Sequence, residues 1–257
     1  MPSVIDMSPG ALVFLLVAGL FAGGVNAVAG GGSLLVFPAL LAVGFPPLAA
    51  NVTNSVAQWP GYVGIVAGTR HDLRGQRRRV LLTSAAGVAG SAVGCALLLT
   101  LPGAVFDTVV PVLVLLASVL LALQQRIKRW FGTTAEPGAP DRLAALLPTV
   151  FVAAIYGGYF GGALGIILIA TLALSANDGL VRLNALKGLL ALVIATVTVV
   201  IFSVGAPVDW LAVALLAPTT LVGGFLGAML ARRLPENVLR WAVVTLGVAV
   251  SIYLLLD

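Results

Sequence analysis

The chain has 257 residues, of which 60% are hydrophobic and only 9% charged, and its mean hydropathy is +1.13. A soluble domain carries about 25% charged residues, so a water-soluble globule is excluded and an integral membrane protein is implied. The net charge of +5 then belongs to cytoplasmic loops rather than to a nucleic-acid surface, and a single cysteine, Cys95, rules out an internal disulfide framework.

Residues 1–10 hold no basic residue and no small-residue cleavage pattern, so no cleaved signal peptide is expected. The first apolar segment, residues 11–43, runs without a charge and contains Gly30, Gly31, Gly32 and Ser33 in its middle. As one helix it would reach roughly 50 Å, against a hydrocarbon core of about 30 Å. Glycine weakens a helix interior, so a break is predicted there. A second segment, 48–68, leads to the basic loop 70–79. Segments 80–101 and 104–123 follow, split by Leu101-Pro102-Gly103, and then a charged linker. Beyond the linker, segment 143–176 is again too long for one span and again holds a glycine cluster, Gly157 to Gly165. Segments 183–204, 208–231 and 235–256 complete the chain, each near the ~20 residues that a bilayer requires.

The two long segments occupy matching places in an internal duplication. Asn51 and Asn184, Gly90 and Gly223, Gly94 and Gly227, and Pro102 and Pro235 are all 133 residues apart. Gly23, Gly24 and Gly31 match Gly157, Gly158 and Gly165 at 134, which sets Ser33 against Ile167. Charge then orients the halves. If the second long segment is a hairpin, every loop arginine and lysine falls on the cytoplasmic side, as the positive-inside rule prefers. The expected architecture is an all-α polytopic membrane protein of two inverted repeats. Each has about four spans, with its first long segment broken into a helix hairpin, giving up to five helices per repeat. The first repeat takes residues 1–125, a cytoplasmic linker 126–143, and the second repeat 144–257. Inverted repeats with broken helices are a transporter architecture.

The stretch GGVNAVAGGGSLLVFPALLAVGFPPLAANVTNSVA, residues 23–57, with its echo in GGYFGGALG and RLNALKG, resembles the TauE/SafE family of sulfite exporters and toluene-sulfonate uptake permeases. The similarity extends over essentially the whole chain. It implies a bacterial inner-membrane, multi-pass carrier of sulfur-containing anions such as sulfite or organosulfonates, with its basic loops cytoplasmic. The second glycine cluster departs from the first in lacking the serine.

Catalytic chemistry finds no support. All nine acidic residues lie in loops or at segment ends, and His71 sits in the basic loop. With no paired carboxylates and no His/Cys cluster there is no acid–base pair and no metal site to propose, and no cofactor is expected. Lys187 is the exception among the charges, because an ionisable group inside a membrane helix is a functional candidate by default; a lysine one turn deep that snorkels to the interface is the alternative. Asn51, Asn54, Ser55 and Gln58 share one helical face, joined by Thr53. That face suits substrate binding, though capping by Asn51 and interhelical bonding would produce the same pattern. Gly31, Gly32 and Ser33 at the first break, Tyr159 and Gly165 at the second, and Asn184 with Lys187 complete the candidate site. Freed backbone N–H groups and the positive end of a half-helix would hold the anion, with Ser33 as N-cap or direct donor. Gly90 with Gly94 and Gly223 with Gly227 are expected to pack helices closely. The expected partners are a small anionic substrate and the bilayer, with protons as the candidate coupling ion. Oligomeric state, substrate and direction are not encoded legibly. A passive anion channel and a non-transporting scaffold subunit are the competing readings.

Overall fold

The structure is a computed structural model that describes residues 8–28, 30–131, 141–230 and 236–256. Among the described residues there are ten α-helices and no strand. Helices α1 (Pro9–Val28) and α2 (Ser33–Ala42) share the first long segment, and α3 (Pro47–Thr69) follows. A 3-10 turn at Arg70–Leu73 leads to α4 (Arg77–Thr100) and α5 (Gly103–Phe131). The second half repeats the series as α6 (Leu143–Tyr159), α7 (Leu164–Ser175), α8 (Leu180–Gly205), α9 (Trp210–Leu230) and α10 (Glu236–Leu256). Five of these, α1, α4, α5, α8 and α9, are long and apolar enough to cross a bilayer. The chain is an all-α, multi-pass membrane protein. The expected linker is shorter than its charges suggested, because α5 continues through Arg126 to Phe131; residues 132–140 lie outside the described residues.

Both long segments are broken, as their length demands. Helix α1 stops at Val28 and α6 at Tyr159, and the next helices start at Ser33 and Leu164. Gly30 (φ 79°) and Gly161 (φ 76°) take the left-handed backbone that lets each chain turn. The Gly30 N–H donates to Val25 O, and the Gly161 N–H donates to Tyr156 O. These equivalences place the breaks 131 residues apart, which corrects the offset of 134 read from the sequence. Ser33 therefore stands against Leu164 rather than Ile167. The error is physical in origin: a run of glycines matches itself in several registers, whereas helix ends and backbone hydrogen bonds do so in one. Gly32 packs over the Ala22 carbonyl and beside the Asn26 side chain, so α2 folds back along α1 instead of continuing it.

Side-chain contacts give the helix directions. Trp59 Nε1 donates to Thr196 Oγ1, and Ile65 lies against Gly188, so α3 and α8 run antiparallel. Ser251 Oγ donates to the Pro111 carbonyl while Gly247 meets Ser118, so α5 and α10 do likewise. Within each bundle the helices are parallel. Gly90 and Gly94 of α4 press on the carbonyls of Phe151 and Ile155 in α6, while Gly223 and Gly227 of α9 press on Leu20 and Gly24 in α1. The first helix of each half thus packs on the fourth helix of the other, so the halves interlock. Both GxxxG pairs serve this close approach.

Charge gathers at one end. Arg79, at the start of α4, makes a two-pronged pair with Asp141 (Nε to Oδ2 and Nη2 to Oδ1, both 2.7 Å) and reaches Asp178 through Nη1 at 2.7 Å. Asp178 also accepts from Arg182 Nε at 2.9 Å, and Asp141 accepts from the Asn177 N–H. Four stretches of chain are tied together here. Burial alone would raise the Asp178 pKa, but hydrogen bonds from Arg79 and Arg182 outweigh it and hold the carboxyl below the usual range. A depressed carboxyl contributes stability that is present above its unfolded pKa of about 3.9 and lost as pH falls through the folded value. The cluster is therefore expected to hold unchanged from pH 5 to 8, and to fail only in stronger acid. The side chains of Arg79, Asp141 and Asp178 keep 12–18% exposure. We accordingly expect Arg79→Gln to cost about 2 kcal/mol, below the value for a fully buried pair. Thermal unfolding at neutral pH measures that loss, and the difference from wild type should narrow in acid.

Candidate substrate site

The two hairpins overlap at the middle of the bundle. A methyl built on Gly30 would lie 2.7 Å from Gly165 Cα, and one on Gly165 would lie 2.6 Å from Gly30 Cα. The Tyr159 carbonyl, at the second break, accepts from Asn51 Nδ2 at 3.0 Å. Ser33, at the first break, faces the Tyr62 hydroxyl. Asn51 and Tyr62 are eleven residues apart on α3, or roughly 16 Å of helix. The turns therefore straddle the midpoint of α3 and pass one another.

At that midpoint a polar relay crosses the chain. Asn26 Oδ1 accepts from the Gly32 N–H at 2.7 Å, and Asn26 Nδ2 donates to Gln58 Oε1 at 2.9 Å. Gln58 Nε2 in turn donates to Asn54 Oδ1 at 3.3 Å. All three side chains are buried. Asn26 was absent from the sequence candidates. Its signal was available, as an amide in a charge-free apolar run just before a glycine break. Gly32 takes the N-cap position of α2, so Ser33 is the first helical residue, and of the two roles expected of it, N-cap or direct donor, the first falls to Gly32. No side chain hydrogen-bonds at the N-cap of α2 or α7; the Leu34 and Leu35 N–H groups turn back to the Gly31 and Gly32 carbonyls, and those of Leu164 and Ile166 to the Gly161 and Ala163 carbonyls.

A cavity of about 20 Å³ lies between the breaks, lined by Ser33, Ser55, Gln58 and Tyr62 from the first half and by Gly161, Leu164 and Thr198 from the second. It has room for water but not for a sulfonate, so the site is closed in this conformation. Both half-helix starts, at Ser33 and at Gly161–Leu164, reach it.

Other candidates divide. Thr53 is fully buried, but its Oγ1 accepts from the Asp209 N–H, which ties the start of α9 to α3. Asn51 is fully buried, its Nδ2 bound to Tyr159 and its Oδ1 without a hydrogen-bond partner. Pro46, not Asn51, occupies the N-cap of α3. Ser55 lines the cavity while its hydroxyl donates to the Asn51 carbonyl. Gly31 lies beside Leu121 of α5. Asn184 and Lys187 are not among the residues that line this cavity. Since α3 and α8 run antiparallel, with Ile65 beside Gly188, Lys187 lies level with about the last turn of α3. That is roughly 18 Å along the axis from Asn54. Equivalent positions of antiparallel helices fall at opposite ends, and this separates the two sets that the 133-residue offset had paired. Lys187 is buried at 4% exposure and does not line the cavity.

A model of the family described as sulfite exporter TauE/SafE matches residues 15–254, nearly the whole chain. The chain belongs to the TauE/SafE family. Among curated TauE/SafE-like relatives, the chain is 26% identical to "Probable membrane transporter protein YfcA" of Escherichia coli, over 99% of this chain and 93% of the relative. It is 27% identical to "Probable membrane transporter protein ORF9" of Sinorhizobium sp, over 70% and 67% of the two chains. It is also 25% identical to a "Probable membrane transporter protein" of Haemophilus influenzae, over 98% and 97%. No solved structure matches this TauE/SafE chain. Membership makes it a membrane transporter, with a small-molecule substrate.

Proposed function

We propose that this chain is a secondary transporter of sulfur-containing anions, sulfite or organosulfonates, working by alternating access around the cavity between the two breaks. The observation that carries the reading is the pair of uncapped half-helix starts converging on one cavity lined by Ser33, Ser55, Gln58 and Tyr62. Helix starts carry partial positive charge, which suits an oxyanion. The antiparallel pairing of α3 with α8 and of α5 with α10 supports an inverted repeat, the architecture that permits two mirror-related open states. Asn26 and Gln58 act as positioning residues, holding the first turn against α3. Gly32 lets α2 fold back over the Ala22 carbonyl, and Gly31 seats that turn beside Leu121. Asn51 fixes the second turn through Tyr159, and Gly165 provides the close crossing.

The basic end is cytoplasmic in this account, and the membrane is the bacterial inner membrane. Asn184 and Lys187 then belong to the cytoplasmic approach to the cavity, where a cation raises the local anion concentration. No acidic side chain lines the cavity, so a coupled proton travels on the substrate itself, as bisulfite rather than sulfite. Uptake into proteoliposomes of sulfite, sulfate, thiosulfate and a small sulfonate, with and without a pH gradient, tests this reading. Saturable flux of sulfite or the sulfonate, increased by a gradient acidic on the substrate side for sulfite alone, is the expected result. Equal, unsaturable flux of all four would contradict it.

A further inference from the structure

Arg240, near the start of α10, is only 7% exposed, and its Nε and Nη1 have no hydrogen-bond partner. Gln124 of α5 is 1% exposed, and its Oε1 also has none. The register of α5 on α10 brings these two together. From the contact of Gly247 with Ser118, seven residues along each antiparallel helix lead to Arg240 and to Gln125, the neighbour of Gln124. Gln124 also lies one turn beyond Leu121, whose Cδ2 sits 3.1 Å from a methyl built on Gly31. The pair is thus beside the first break, on the side of the basic end.

A guanidinium stays charged at every accessible pH. Burying it without a counter-charge is strongly unfavourable, more so at membrane depth. The Trp241 ring, itself half-exposed and 5.6 Å from the Arg240 Cζ, offsets only about 1 kcal/mol of that cost. The unused Nε–H and Nη1–H point from different edges of the guanidinium, so an oxygen of a sulfate, sulfonate or phosphate group takes one charge-assisted hydrogen bond from either of them. The Gln124 carboxamide can accept from a protonated oxyanion or, turned over, donate to a bare one.

We propose that Arg240, faced by Gln124, is a second oxyanion site, distinct from the cavity at Ser33. It takes either a free tetrahedral oxyanion or the phosphate of an anionic lipid headgroup, both recognised by the same charge-assisted hydrogen bond. The readout is binding and not flux, so the proposal stands or falls apart from the transport reading. The unfolding midpoint of the purified protein is measured in nanodiscs of phosphatidylcholine against rising sodium sulfate at constant ionic strength. The same measurement is made in discs containing phosphatidylglycerol. Wild type is expected to be stabilised in at least one arm: a sulfate response assigns a free anion, a phosphatidylglycerol response a headgroup. Arg240→Met, which deletes an unpaired buried charge, should fold without anion and lose the response, with apparent affinity down roughly tenfold or more. Gln124→Leu should weaken it independently. Ser33→Ala should leave it intact. Identical responses of wild type and Arg240→Met, no response in either arm, or a response removed by Ser33→Ala alone would each overturn the proposal.

Discussion

Gly30→Ala is expected to destabilise this protein by roughly 2–5 kcal/mol and to abolish transport. Its backbone sits at φ 79°, where an L side chain costs about 1–2 kcal/mol. The new carbon would also meet Gly165 Cα at 2.7 Å. That neighbour is backbone, so no rotamer change relieves the collision, and overpacking of this kind costs roughly 1–3 kcal/mol more. Gly165→Ala should behave similarly for the second reason alone. Both variants separate the hairpins that shape the cavity, so transport is expected to vanish even where folded protein is recovered. Gly103→Ala is the matched control, because a methyl there meets nothing within 4 Å. Unfolding midpoints and proteoliposome flux of the three variants make the comparison.

Gln58→Leu is expected to have the second-largest effect. It keeps the volume nearly unchanged but leaves Asn26 Nδ2 and Asn54 Oδ1 without their hydrogen bonds. Each orphaned buried group costs about 1–3 kcal/mol. Asn26 then loses its orientation on the Gly32 N–H, and the start of α2 loses its fixed place against α3. Flux should fall at least roughly tenfold, about the effect of 1.4 kcal/mol. Ser33→Ala removes a cavity hydroxyl and one partner of the Tyr62 hydroxyl, which keeps Asn26 as its other partner. It should weaken substrate affinity with a stability change within about 1 kcal/mol, and that contrast separates positioning from contact.

Much of the fold was legible because the bilayer imposes a length. Thirty-three uncharged residues cannot form one span, and glycine marks where the helix gives way, so both breaks were readable. Close helix crossing at Gly90, Gly94, Gly223 and Gly227 followed from spacing alone. The candidate site was legible only in part. Ser33, Ser55 and Gln58 line one cavity. Asn26 escaped because a single amide in an apolar run has no periodicity to announce it. Asn184 and Lys187 were grouped with the rest by repeat position, and repeat position says nothing about depth once the partners run antiparallel. Arg240 looked like an ordinary loop arginine, since burial against α5 depends on a helix 116 residues away in sequence.

The central claim is a carrier turning over around the cavity between the breaks, and counterflow tests it most directly. Proteoliposomes loaded with unlabelled sulfonate or sulfite are diluted into a trace of the labelled anion. The account predicts a transient accumulation of label above equilibrium in wild type, saturable in the external anion and lost or reduced at least roughly tenfold in Gln58→Leu. Label that only equilibrates, with no overshoot and no dependence on Gln58, would contradict it.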